Sequence, residues 1–145
     1  MIEGLYVYAL LLSVGLASKT EYGEYLDALF LDAPDNDLLL NLEWSFSDTK
    51  NSVITILAYC KEHDINYDVF GSYLCEKLSE AYKQHNEIKE FSKKSYRLWQ
   101  LLPDKIQHIE PFWTLLYADD PLSWGDESQT RALYEKMFCY YDTYG

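Results

Sequence analysis

Glycine, cysteine, histidine and basic residues are all scarce in this chain, and each scarcity removes a class of chemistry. The six glycines are scattered through 145 residues with no GxGxxG or Walker spacing, so no loop is laid out to cradle phosphates ahead of a helix. Cys60, Cys75 and Cys139 form no CxxC pair, and an odd, scattered set reads as free thiols in a reducing compartment. Each lies in an apolar stretch, so all three are expected to be buried packing. His63, His85 and His108 show no triad pattern, and there is no GxSxG, HExxH or ExxH. An activated nucleophile or a zinc site would call for such arrangements. His108 and Glu110 give H-x-E, but the downstream cysteine pair of a zinc deaminase is missing. The apolar run Leu5–Ala17 falls short of the roughly 20 residues that span a bilayer. It also has Glu3 where a signal peptide carries positive charge. That run is expected to be a buried helix of a cytoplasmic protein, with no membrane contact.

Twelve bases face 24 acids, for a net charge of -12. The imbalance is uneven: -8 over residues 1–48, +1 over 49–108 and -5 over 109–145. A field of this sign repels phosphate backbones and favours a basic partner. The stripe Lys89, Lys93, Arg97, interleaved with Tyr96 and Trp99, has the look of a nucleic-acid strip. Against the net charge it is expected to pair with neighbouring acids or face solvent, and no nucleic-acid partner is expected.

What the chain has in plenty is helical periodicity. From Tyr22, the residues Tyr25, Leu26, Leu29 and Phe30 recur at helical spacing. Gly15 sits where a first helix should stop, and Ser18 with Glu21 makes a capping-box spacing for a second. Residues 3–14 and 19–31 therefore predict a helical hairpin. Pro34 and Asp35-Asn36-Asp37 break the chain before a short apolar segment, Leu38–Trp44. Ser45–Asp48 carries cap chemistry, followed by Val53, Ile56, Leu57 and Cys60, whose β-branched content leaves a strand open there. Asp68 is placed to cap a helix bearing Phe70, Leu74, Leu78, Ala81 and Tyr82. Ile88, Phe91, Leu98 and Leu102 mark the next, closed by Pro103. Pro111 suits the first turn of a helix running to about Ala118. Asp119, Asp120, Pro121 and Gly125 form a loop holding Trp124. Leu133, Tyr134, Met137, Tyr140 and Tyr144 define the last helix. With no strand alternation and no internal repeat, the chain reads as all-α: a globular bundle of six to eight helices in a single domain, 1–145.

Two sets of residues suggest a site. Glu21, Glu24 and Asp27 share one side of a helix, and Glu87 and Glu90 repeat the ExxE spacing. Facing one another, such helices could hold Mg²⁺ through carboxylate oxygens. These patterns resemble the ExxE and ExxD helices of MazG-type nucleoside-triphosphate pyrophosphatases, which implies a metal-dependent hydrolase as the alternative function. Here, however, ExxE and ExxD overlap on one helix, and Lys89, Lys93 and Lys94 crowd the second. An exposed acidic face is the preferred reading, with no catalytic residue, no metal and no cofactor.

The other set pairs acids with aromatics. The chain has 14 Tyr and 4 Trp, and these residue types dominate interface energetics. Tyr6 with Tyr8, Tyr140 with Tyr141, and Trp124 are the hardest to bury by pattern. Two acidic–aromatic surfaces follow: Glu21, Glu24, Asp27, Asp35, Asp37 with Trp44, and Asp119, Asp120, Trp124, Asp126, Glu127. A small, acidic, aromatic-rich chain without catalytic motifs resembles bacterial immunity proteins of contact-dependent and polymorphic-toxin systems. The likeness lies in general character, above all Leu5–Trp44 with its hairpin and acidic loop. It implies a non-enzymatic inhibitor that neutralises a basic toxin domain, steered by opposite charge. A scaffold or oligomer subunit joined through the C-terminal tyrosines is a further alternative.

Overall fold

In the computed structural model, which describes residues 1–144 and the side chains as far as Asp142, all regular structure is helical. The helices are α1 Ile2–Val14, α2 Lys19–Asp32, α3 Asp37–Trp44, α4 Thr49–Lys61, α5 Tyr67–Gln84, α6 Ile88–Leu101, α7 Asp104–Gln107, α8 Thr114–Tyr117, α9 Asp120–Ser123, α10 Glu127–Phe138 and α11 Tyr140–Tyr144. The strand left open at Val53–Cys60 is helix α4. No described helix is long and apolar enough to cross a membrane. The chain packs as two compact units that divide between Asn66 and Tyr67.

In the first unit, the helix ends follow from local chemistry. Gly15 takes φ 79°, the left-handed conformation that glycine adopts without Cβ strain, and closes α1. The Glu21 N–H donates to Ser18 Oγ (3.1 Å), and the Ser18 hydroxyl donates to Glu21 Oε1 (3.2 Å), which starts α2. Asn36 and Asp48 cap α3 and α4 by accepting from Leu39 N–H and Asn51 N–H, both at 3.1 Å. Helix α1 is apolar on every side, so Leu5 to Leu11 are all buried. That overturns the expectation for Tyr6 and Tyr8, which are 9% and 3% exposed. In a helix without a polar face, residues two apart both go inside. Helices α2 and α4 pack against α1, and α3 packs against α2.

An aromatic cluster anchors the second unit. Phe91 of α6 meets Tyr134 of α10 edge to face (5.0 Å between centroids, 88°), and Tyr82 of α5 meets Phe91 and Phe138 at 5.4 and 5.3 Å. Such pairs add about 0.5–1.5 kcal/mol each beyond area burial. Tyr134 Oη donates to Ser92 Oγ (3.0 Å), and Arg131 Nη1 donates to Tyr82 Oη (3.1 Å), so buried Tyr134 and half-buried Tyr82 both keep their polar ends satisfied. Helix α6 ends at Leu101, and Leu102 turns extended, as the residue before Pro103 must.

Four local expectations need correction. Asp68 lies inside the first turn of α5, not at its cap, where its charge still suits the helix N-terminus. Pro111 follows a cis bond, and the N–H groups of residues 114–116 donate to the carbonyls of 111–113, i to i−3, so α8 is a single turn starting at Thr114. The Asp119–Gly125 loop contains the turn α9, with Pro121 at its start and Gly125 at φ 83°. The last helix is broken at Cys139 into α10 and α11. That break leaves Cys139 exposed, while Cys60 and Cys75 are buried as expected. The Tyr144 side chain lies outside the described residues.

Candidate functional site

The second unit carries a broad concavity. It is a cleft of about 800 Å³ between α5, α11 and the 109–112 turn. Among the described residues, four tyrosines (Tyr67, Tyr73, Tyr140, Tyr141) and three carboxylates (Asp68, Glu76, Glu110) contribute to its wall, and no base does. Residues 67, 68, 72, 73 and 76 bring one face of α5 to the cleft at helical spacing. Gly71 is on the same helix, where a Cβ would overlap the Tyr141 hydroxyl and approach Phe112 Cζ to 2.9 Å. Glycine there lets Tyr141 lie against the α5 backbone. Burial, with Cys75, Asp68 and Tyr140 nearby, raises the Tyr141 pKa, so its hydroxyl stays protonated. Glu110 is held in place: its Oε2 accepts from Thr114 Oγ1 (2.7 Å) and its Oε1 from Tyr117 Oη (3.0 Å).

Two of these tyrosine rings already hold an ammonium group from a lysine outside the cleft wall. Lys105 Nζ lies 4.9 Å from the Tyr67 ring centroid, and Lys77 Nζ lies 5.3 Å from that of Tyr73. Both are within cation–π range. Buried Cys75 has its thiol pushed up to about 12 by burial, Asp142 and Cys139, so it is not a reactive thiolate near pH 7.

A second cleft in the same unit has the opposite character. It encloses about 510 Å³ between α6 and α9, with Lys89, Lys93, Arg97 and Tyr96 on one side and Asp119, Leu122 and Ser123 on the other.

The sequence-derived acidic surfaces are placed as follows. In the first unit Glu24 and Asp27 are exposed on α2, Asp35 and Asp37 are exposed around the start of α3, and Trp44 at its end is 83% exposed. Glu21 is half-buried and engaged with Ser18. Asp37, Leu40, Asn41 and Trp44 form the outward stripe of α3. Beside it lies a cleft of about 380 Å³ between α3 and α4, with Asp37 and Glu62 in its wall. Asp27 meets Glu43 of α3, a residue the sequence patterns did not single out. Burial first, then the hydrogen bond and charge of Asp27, push the Glu43 carboxyl up to about 7. One Glu43 oxygen is buried without a hydrogen-bond partner, and the buried Tyr22 and Ser52 hydroxyls have only each other nearby to bond.

In the second unit, Trp124 is 64% exposed. Asp126 caps α10 by accepting from Gln129 N–H (3.0 Å), and Glu127 pairs with Arg131 (2.9 Å). Both acids thus have local structural work. Asp119 lines the basic cleft, and Asp120 is exposed at the start of α9. Among the described residues, no group of three or more His, Cys, Asp or Glu side chains is placed to hold a metal ion. Glu21, Glu24 and Asp27 lie on α2 of the first unit, and Glu87 and Glu90 lie at the start of α6 in the second.

Sequence reasoning reached Tyr140 and Tyr141 as rings that are hard to bury, and it weighed the basic stripe. It missed Tyr67, Asp68, Tyr73 and Glu76 as one surface. The signal was present in the Tyr-Asp-x₄-Tyr-x₂-Glu spacing over 67–76, which repeats on one helix face. Compared with known proteins, the chain matches no family model, no curated protein and no solved structure.

Proposed function

We propose that this chain is a non-enzymatic protein-binding module whose tyrosine-lined acidic cleft receives basic side chains of a partner. The physiological role that suits it is immunity-type inhibition of a cationic toxin domain in a bacterial cytoplasm. One observation carries the reading: a cleft of about 800 Å³ whose wall, among the described residues, has four tyrosines, three carboxylates and no base. Tyrosine supplies contact area at low entropic cost and a face for cations, while the carboxylates supply charge-assisted hydrogen bonds to lysine or arginine. The net charge of -12 adds long-range steering toward a basic protein.

The test combines a synthetic probe with the natural partner. Fluorescence anisotropy with a labelled Lys/Arg-containing peptide should show saturable binding that weakens with salt. Asp68→Lys with Glu76→Lys should abolish it. Wild-type protein used as bait should retain a basic protein in one-to-one ratio, and the double variant should not. Equal retention by both would remove the cleft from the proposal.

A further inference from the structure

The basic cleft between α6 and α9 stands out in a chain with twice as many acids as bases. Lys89, Lys93 and Arg97 fall at i, i+4 and i+8, so their Cα atoms step about 6 Å along one helix face. Among the described residues none of the three forms an ion pair, whereas the next residue, Lys94, is bonded to Glu90 at 3.3 Å. Of the two outcomes expected for this stripe, pairing with acids or facing solvent, the second is the one found: Lys89, Lys93 and Arg97 are all exposed. Asp119 shares the cleft; burial and the charge of Asp120 raise its pKa, and a backbone hydrogen bond works against them. Three positive charges therefore face a single carboxylate, Asp119, across a concave surface.

The rest of the lining is prepared for an organic ligand. Ser92 is 3% exposed, and its Oγ accepts from Tyr134 Oη, which leaves the Ser92 proton for another acceptor. Tyr96 leans on Trp99, ring centroids 6.0 Å apart. Trp99 is fixed in turn, because its Nε1–H donates to the Gln107 carbonyl (2.8 Å) and Gln107 Nε2 donates to the Trp99 carbonyl (3.0 Å). A side chain held this way presents a ring face with little further ordering cost.

We propose that this cleft binds a small organic di- or triphosphate, with Lys89, Lys93 and Arg97 on the phosphate oxygens and Tyr96 against the organic body. Arginine and lysine are the usual phosphate partners, the first bidentate and the second as a point charge. Size separates a small ligand from a nucleic-acid strand. A compact anion feels chiefly the cations within a Debye length, about 8 Å in physiological salt. A long polyanion would also meet the repulsion of the whole acidic surface. The site is separate from the tyrosine-lined cleft and does not depend on the function proposed for it.

Calorimetric titration of the full chain with pyrophosphate, adenosine diphosphate and a short oligothymidylate tests the proposal. Adenosine diphosphate should bind more tightly than pyrophosphate, and Tyr96→Ala should bring the two together. Lys93→Ala with Arg97→Ala should weaken both at least tenfold. Lys93→Arg, which keeps the charge, should retain binding, and far-ultraviolet circular dichroism should be unchanged in every variant. Absence of binding by both small phosphates at millimolar concentration would overturn the proposal. So would unchanged affinity in the Lys93/Arg97 variant, or tighter binding of the oligonucleotide than of adenosine diphosphate.

Discussion

The two clefts of the second unit stand on consecutive helices and carry opposite charge. On α5 the outward face gathers Asp68 and Glu76 among tyrosines, and α11 closes it with Tyr140 and Tyr141. On α6 the outward face gathers Lys89, Lys93 and Arg97 around Tyr96, and α9 closes it with Leu122 and Ser123. Their inward faces meet in one aromatic cluster, Tyr82, Phe91 and Tyr134. The same core chemistry thus supports two unlike surfaces, because burial constrains only the inward stripe of each helix. A net charge describes the average field and leaves the sign of an individual cleft open.

The comparison can be broken most completely from beneath. Phe91→Ala removes the ring that both helices share, and a buried phenylalanine truncation costs about 3–5 kcal/mol. Chemical denaturation should show that loss, with both clefts losing their ligands together. A selective break comes next. Asp68→Lys with Glu76→Lys should lower affinity for a basic peptide by tenfold or more, a change worth about 1.4 kcal/mol per decade. Titration of the same variant with pyrophosphate should give an unaltered curve. Gly71→Ala is gentler: the added Cβ pushes Tyr141 away from α5. Peptide affinity should fall severalfold, while the basic cleft, which has no contribution from Tyr141, keeps its response.

The smallest expected effect lies outside both clefts, in the first unit. Glu43 has its carboxyl raised to about 7 beside Asp27. Its protonated form is therefore the one the fold favours. The contribution is fully present below the ordinary glutamate range and is lost as pH rises through about 7. Glu43→Gln should flatten the fall in stability between roughly pH 4.5 and 7, taking the ordinary glutamate range as the lower bound. Thermal melts at several pH values would display it, and peptide and phosphate binding should not change.

Much of the fold is legible because helix ends are local. Gly15, the Ser18–Glu21 pair and Pro103 each act within a few residues, and each ends or starts a helix where its chemistry says it should. What escaped notice depends on distant partners. The tyrosine-lined cleft joins residues 67–76, 109–112 and 140–141, and no periodicity within one segment can register that meeting. Glu43 is in the same position: only the packing of α3 on α2 sets it against Asp27. Tyr6 and Tyr8 failed for a different reason. A spacing of two does not fit a helix with one buried face, whereas α1 has no outside over Leu5–Leu11.

The measurement that bears most directly on the proposed function is a nuclear magnetic resonance titration of isotope-labelled full chain with a Lys/Arg-containing peptide. The expected result is a set of shifted amides on α5 and α11, centred on Tyr73, Glu76 and Tyr141, with α6 unmoved. Shifts gathered instead around Glu24, Asp27 and Trp44, or none at all, would contradict the assignment of the tyrosine-lined cleft as the site that receives a basic partner.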